Sequence, residues 1–247
     1  VDEKLAADWV RRWDVQQERY VADREERFTV VIDVVEHVCR DVAEPLVLDL
    51  GCGPGSLTTR LAGRLPHARI VGLDDDPFLL ALARATRPER SDIEYVRADL
   101  AESGWLKWRP VDAVVSTTAL HWLRPERLAQ VYRDLAVALR AGGALVNGDH
   151  LYDEQPAIRE LAEVVKERRA ARAGVHANED WKTWWAAVAA DPALRERFTA
   201  EELRGISTGY GNRLSPQEHT RLLREAGFAE VAPVWQSGDD YVLAALR

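Results

Sequence analysis

The sequence predicts an α/β fold: a doubly wound, mostly parallel sheet of seven strands with a reversed last strand, and a helical lid insertion late in the chain. Three observations predict it. The stretch Leu46-Val-Leu-Asp-Leu-Gly-Cys-Gly-Pro-Gly55 reads as an apolar strand running into a glycine-dense turn, and Leu57, Leu61 and Leu65 follow at helical spacing. Short apolar strands then alternate with helical patterns as far as His150. Residues 230–246 read as a hairpin, which supplies an antiparallel edge.

The 247 residues, 47% hydrophobic and 30% charged, suffice for one α/β core and an insertion. A net charge of −8 recommends neither a nucleic-acid groove nor an anionic membrane surface, so the expected partner is a small molecule. Two cysteines, Cys39 and Cys52, make no disulfide framework and no metal set, and a reducing, cytoplasmic setting is expected. No apolar run approaches a membrane span and no signal-peptide pattern opens the chain, although Val1 in place of Met marks a start other than the native one. Monomer and homodimer both remain open.

Two helices are expected over Asp8–Arg40. Trp9, Trp13 and Tyr20 line one side of the first, and Phe28, Val31, Ile32, Val35 and Val38 form an apolar stripe on the second. In the glycine turn, Gly51, Gly53 and Gly55 let the backbone bend sharply and let a bulky ligand lie against it, near a helix N-terminus. A dinucleotide fingerprint would place its third glycine one residue later, where Ser56 stands. Asp49 lies inside the strand. Burying that carboxylate is costly without a partner, and a ligand ammonium would serve as one.

Leu48-Asp-Leu-Gly-Cys-Gly-Pro-Gly55 resembles the first motif of class I S-adenosylmethionine-dependent methyltransferases, and the resemblance covers nearly all of 27–150 and 214–247. It implies a Rossmann-like core that binds S-adenosylmethionine, and no metal. Ala68–Asp74 reads as the second strand; the family would have Asp74, with Asp75 beside it, accept the ribose hydroxyls, while Asp76 and Pro77 suit a helix cap and first turn. Ile93–Leu100 is the third strand and its exit, where the resemblance assigns Asp99 to the adenine amino group and Leu100 to the ring face.

Val111–Trp122 reads as the fourth strand, whose carboxyl end faces the crevice at the topological switch point, so Ser116 through Trp122 should line the site. Thr117 is placed on the cofactor side and Trp122 on the acceptor side. The ending Ala-Leu-His-Trp122 resembles small-molecule methyltransferases, including the trans-aconitate methyltransferase group. Enzymes acting on amide nitrogens often carry Asn or Asp, Pro, Pro and an aromatic here. A helix over Pro125–Arg140 stops at Gly142-Gly143, and Ala144–His150, the fifth strand, delivers Asn147, Asp149 and His150 to the crevice. His121 and His150 are the two candidate bases, each with the alternatives of a substrate ligand or a packed histidine.

Residues 151–212 read as a helical lid. One stripe comprises Ile158, Leu161, Val164 and Val165, another Trp181, Trp184, Trp185 and Val188, before a Gly205–Gly211 loop. Trp13 and Trp185, with Asn147, are candidate acceptor contacts, the lid tryptophans reading more readily as glue within the helical layer; Trp13, Tyr20 and Arg24 or Arg27 could cover the sulfonium and its carboxylate, or be an amphipathic helix and its solvated charges. Lys166, Arg168, Arg169 and Arg172 read as a solvated face or a hold for an anionic acceptor. A capped helix from Ser215 to Gly227 precedes the final hairpin. The expected division is 1–26 as a cap, 27–150 as the core, 151–212 as the lid and 213–247 as the rest of the core. Methyl transfer to a small molecule is the implied activity; the alternative is an S-adenosylmethionine-binding protein with other chemistry or none.

Overall fold

The computed structural model describes residues 1–89, 91–205 and 211–247. In chain order the elements are α1 (Glu3–Glu18), α2 (Arg24–Cys39), β1 (Leu46–Leu50), α3 (Ser56–Arg64), β2 (Arg69–Asp74), α4 (Pro77–Ala85), β3 (Asp92–Arg97) and β4 (Val111–Thr117). Then come α5 (Pro125–Ala138), β5 (Leu139–His150), α6 (Pro156–Ala173), α7 (Trp181–Ala190), α8 (Pro192–Arg195), α9 (Pro216–Ala226), β6 (Glu230–Ser237) and β7 (Asp240–Leu246).

The strands form one sheet in the order β3-β2-β1-β4-β5-β7-β6. β1 to β5 pair in parallel, and β7 runs antiparallel between β5 and β6. The order reverses between β1 and β4, which opens a crevice at their carboxyl ends. Strands of this sheet are apolar on both faces because helices cover both. Leu48, Leu50, Val114 and Leu145 meet α5 and α9, while Val47, Val115 and Val146 meet α2 and α3. Each such side chain contributes about 1.5–3 kcal/mol by leaving water.

A third apolar cluster joins α1, α4 and α7. Trp184 stands edge-on to Trp9 at 5.6 Å, to Trp13 at 5.1 Å and to Trp185 at 4.9 Å between ring centroids. The N-terminal helix and the inserted helix are therefore one aromatic layer clamped on α4.

Local chemistry sets the element ends, in places differently from expectation. α1 begins at Glu3, since Asp2 accepts the Leu5 N–H at 2.9 Å, and Tyr20 lies beyond its end. β4 stops at Thr117: Thr118 takes φ +54°, and Leu120–Trp122 is a 3₁₀ turn. α5 ends at Ala138, earlier than expected, because Leu139 already pairs with Val111. The Asp76 cap holds two N–H groups at 2.9 Å, and the Ser215–Glu218 capping box is complete.

The α6 stripe is the clearest correction. Ile158, Leu161, Val164 and Val165 are all exposed, Leu161 by 61%. α6 docks instead through its polar side: Lys166 bonds Asp239 at 3.0 Å, and Arg169, buried, meets Asp23 at 3.1 Å and Asp240 at 3.5 Å. Lys166 and Arg169 are thus structural cations, whereas Arg168 and Arg172 are exposed as expected. Of the Gly205–Gly211 loop, 206–210 lie outside the described residues.

Candidate active site

The glycine turn is held by the second strand. Gly51 and Cys52 donate their N–H groups to Leu73 O at 2.8 and 3.0 Å, and Gly53 N–H bonds the Asp74 carboxylate at 2.8 Å. Gly51, Gly53 and Gly55 have φ of +69°, +54° and +85°. Two of them also make room for neighbours. A Cβ on Gly51 would stand 2.2 Å from Cβ of Ala119, and one on Gly55 2.3 Å from the Tyr95 hydroxyl. The turn is thereby pressed against the residues that follow β4.

Asp49 is fully buried behind this turn. Thr58 donates to its Oδ2 at 2.6 Å, and Oδ1 has no partner among the described residues. Burial pushes its pKa up to about 7. α1 closes over the same turn, with Trp13 against Gly53 and Asp14 accepting from Ser56 at 2.5 Å and from Arg24 at 2.8 Å. Arg24 Nε and Gln16 Nε2, both buried, also have no partner among the described residues.

The remaining acids divide. Asp74 is buried enough to raise its pKa, and each oxygen accepts one backbone N–H, from Gly53 and from Asp76, which leaves a second lone pair on each. Asp75 is committed to an exposed ion pair with Arg97 at 3.0 Å. Asp99 is exposed and caps a turn through Ala101 N–H at 2.7 Å, and Leu100, half-buried, packs at the border of the α5 face.

On the other side of the crevice the contacts are long-range. Arg27, fully buried, bonds Asp240 at 2.9 Å and both Thr117 and Thr118 hydroxyls at 2.9 Å. It braces the turn after β4, so it is not a cover for a sulfonium. His121 meets both Asp149 oxygens through Nδ1, at 2.8 and 3.1 Å, and lies against Trp122, itself exposed, at 4.5 Å. Below them Tyr132 and His219 share a bond of 2.7 Å. Asn147 is buried, and neither end of its amide has a partner among the described residues.

The His150 imidazole does not share the Asp149 carboxylate. Consecutive residues of a strand face opposite sides, and His150 Nδ1 stands 3.2 Å from Asp239. It lines a cavity of about 420 Å³ with Arg19, Tyr20, Tyr152, Lys166, Arg169 and the Asp239-Asp240 turn. Tyr20 therefore belongs to this cavity, where its hydroxyl accepts the Trp181 N–H at 2.9 Å, and not to the glycine turn. Two tryptophans are placed by packing. Trp13 faces the glycine turn, and Trp185 is buried in the α1–α4–α7 layer, against Phe78 at 5.9 Å. Arg27, Asp239 and Asp240 escape a reading of these roles because their partners are distant in sequence, and Thr58 and Gln16 because a lone polar residue in a helix carries no spacing signal; an arginine inside the α2 apolar stripe is the available signal for Arg27.

A model of the methyltransferase domain matches residues 47–143. A trans-aconitate 2-methyltransferase of Azoarcus sp. (strain BH72) is 36% identical over 166 residues, 67% of this chain and 61% of that protein. One of Methylobacterium radiotolerans is 32% identical over 203 residues, 82% of this chain and 64% of that protein. The chain thus spans less than two thirds of the length of these curated relatives. Human N-acetylserotonin methyltransferase, solved with S-adenosylmethionine, superposes with a TM-score of 0.55 at 18% identity, over 94% of this chain and 56% of that chain. With this domain match, these relatives and a seven-stranded sheet whose β7 is reversed, the chain carries a methyltransferase domain with the Rossmann-like sheet of the class I methyltransferases.

Proposed function

We propose that the chain transfers a methyl group from S-adenosylmethionine to a small-molecule acceptor. The observation that carries this reading is the Asp49 carboxylate, buried beside the glycine turn with one oxygen unpartnered among the described residues. An amino-acid ammonium would supply the missing charge and donors. Arg24 Nε and Gln16 Nε2 are unpartnered donors on the helices that close over the same turn, and a carboxylate would accept from them. Together the three atoms fit the ammonium and carboxylate of the methionine moiety. NAD carries no such pair of groups. Asp74 would hold the ribose, with Asp99 and Leu100 at the adenine, as the family resemblance implies.

When bound, the cofactor supplies a methyl group on a sulfonium, an electrophile that needs alignment more than activation. The chain's own part is to bind, to exclude water and to orient the acceptor. Trp13 and its aromatic layer close the glycine turn, and the cavity beside His150 offers the acceptor a polar wall. A net charge of −8 supports a small molecule over nucleic acid as partner. No described helix is long and apolar enough to cross a membrane, and no described group of His, Cys, Asp and Glu has the makings of a metal site.

The test is incubation with methyl-labelled S-adenosylmethionine and a metabolite pool that includes trans-aconitate, the compound for which the relatives are named. Labelled product and stoichiometric S-adenosylhomocysteine are expected. Tight cofactor binding with no transfer would favour a binding protein or other chemistry, and tighter binding of NAD would overturn both readings.

A further inference from the structure

Two histidines lie near Asp149, His121 in the turn after β4 and His219 in α9, and they differ in their partner. His219 is bonded to the neutral Tyr132 hydroxyl, and burial drives its pKa down to about 4. His121 is bonded to a carboxylate. Burial alone would lower its pKa too, but Asp149 outweighs burial and holds it above the ordinary histidine value. Asp149 is itself buried, and its Oδ1 also takes the His150 N–H at 2.9 Å. The imidazole remains 19% exposed at the mouth of the crevice, with no partner at Nε2 among the described residues. Its turn is rigidly held: Asn212 donates to His121 O at 2.7 Å and to Leu123 O at 3.0 Å, while Arg27 braces Thr117 and Thr118. A carboxylate at Nδ1 favours the tautomer with its proton there, which leaves the Nε2 lone pair to accept a proton.

We propose that His121 is a general base, positioned by Asp149, that takes the proton of an acceptor hydroxyl, so that the acceptor reacts through an alcohol or phenol oxygen and not through a carboxylate. This rests on the methyl-transfer reading above. The acceptor O–H gives its proton to His121 Nε2 as the oxygen forms a bond to the methyl carbon. The methyl–sulfur bond breaks with its electron pair left on sulfur, so the sulfonium becomes a neutral thioether and the histidine an imidazolium beside Asp149. A carboxylate acceptor, with a pKa of about 4, is already ionised near neutrality and would leave this pair idle. Asp149 works through His121 and is a positioning residue. The other charged and titratable groups around the pair are Arg27, which opposes the imidazolium, and Tyr132, His219 and His150 about Asp149.

The first readout needs neither cofactor nor acceptor. In protein labelled with ¹⁵N-histidine, with His121→Gln to assign the signal, neutral His121 should be unprotonated at Nε2. Its titration midpoint should lie above the ordinary histidine value, and in Asp149→Asn it should drop below it. An Nε2–H tautomer, or a midpoint that ignores Asp149→Asn, overturns the proposal; Asp149→Glu, expected to restore the raised midpoint in part, serves should the asparagine variant not fold. The second readout uses matched alcohols, phenols and carboxylic acids on shared skeletons with labelled methyl donor. Methylation of hydroxyl members is expected, with kcat in His121→Gln lower by about 10²–10⁴ and its acid limb flattened. S-adenosylmethionine affinity should be unchanged in that variant. Methylation of carboxylates alone, at an unaltered rate in His121→Gln, would overturn the base while leaving the methyltransferase reading intact. Failure of the wild type to bind S-adenosylmethionine would strike that reading instead, and the tautomer would still decide the pair.

Discussion

The two halves of the crevice are built by different means. On the β1–β2 side, the turn is shaped by backbone: three glycines with positive φ, N–H groups on Leu73 and Asp74, and a capped helix at Asp76. The backbone hydrogen bonds of the turn join residues within about two dozen of one another, as in Gly53 with Asp74, 21 apart. On the β4–β5 side the turn is shaped by side chains reaching across the fold, Arg27 to Asp240 over 213 residues and Asn212 to Leu123 over 89. Backbone geometry suits a ligand that never changes. A turn fixed by remote side chains can be retuned by substitution in α2, the 151–212 insertion or the hairpin without disturbing the sheet, which suits the half that the proposed function gives to the acceptor.

The largest expected effect breaks that second half. Arg27→Met leaves buried Asp240 with only the longer Arg169 contact at 3.5 Å and frees Thr117 and Thr118, so unfolding in urea should show a loss of about 3–5 kcal/mol. Adding Asp240→Asn to Arg27→Met should recover part of it. A loss near zero for Arg27→Met would mean that the turn after β4 holds itself. A smaller effect is expected on the backbone-built side. Asp74→Ala removes the acceptors of the Gly53 and Asp76 N–H groups from a turn that keeps its bonds to Leu73 O, and should weaken S-adenosylmethionine binding by about 1–3 kcal/mol with only a modest change in stability. Unaltered affinity in calorimetry would take the ribose role away from Asp74.

The same division explains what was legible in the sequence. Glycine φ, helix caps and strand-to-helix order are short-range, so the glycine turn, the Asp76 and Ser215 caps and the reversed hairpin could be read from spacing. Tyr20 lies away from the glycine turn, and the choice between acceptor contact and packing for Trp13 and Trp185 was not legible, because an aromatic stripe does not say which element it meets; here α1 and α7 meet each other on α4. The α6 stripe misled for a related reason. Periodicity marks an apolar face, but the acids at Asp23, Asp239 and Asp240 drew the cationic face inward. His121 and His150 were legible as residues near the crevice, whereas their separation onto Asp149 and Asp239 depends on strand parity at the last two positions of β5.

The claim that the glycine turn holds the ammonium of S-adenosylmethionine is tested most directly by the protons released on binding. Free Asp49, with a pKa of about 7, is partly protonated near neutrality. An ammonium placed beside it would favour the carboxylate and lower that pKa, so binding should expel protons. Titration calorimetry of S-adenosylmethionine at pH 7 in buffers of different ionisation enthalpy measures that number. Net proton release is predicted for the wild type, with loss of most of it and weaker binding in Asp49→Asn. Binding of equal strength and equal proton release in wild type and Asp49→Asn would contradict the assignment of Asp49 to the cofactor.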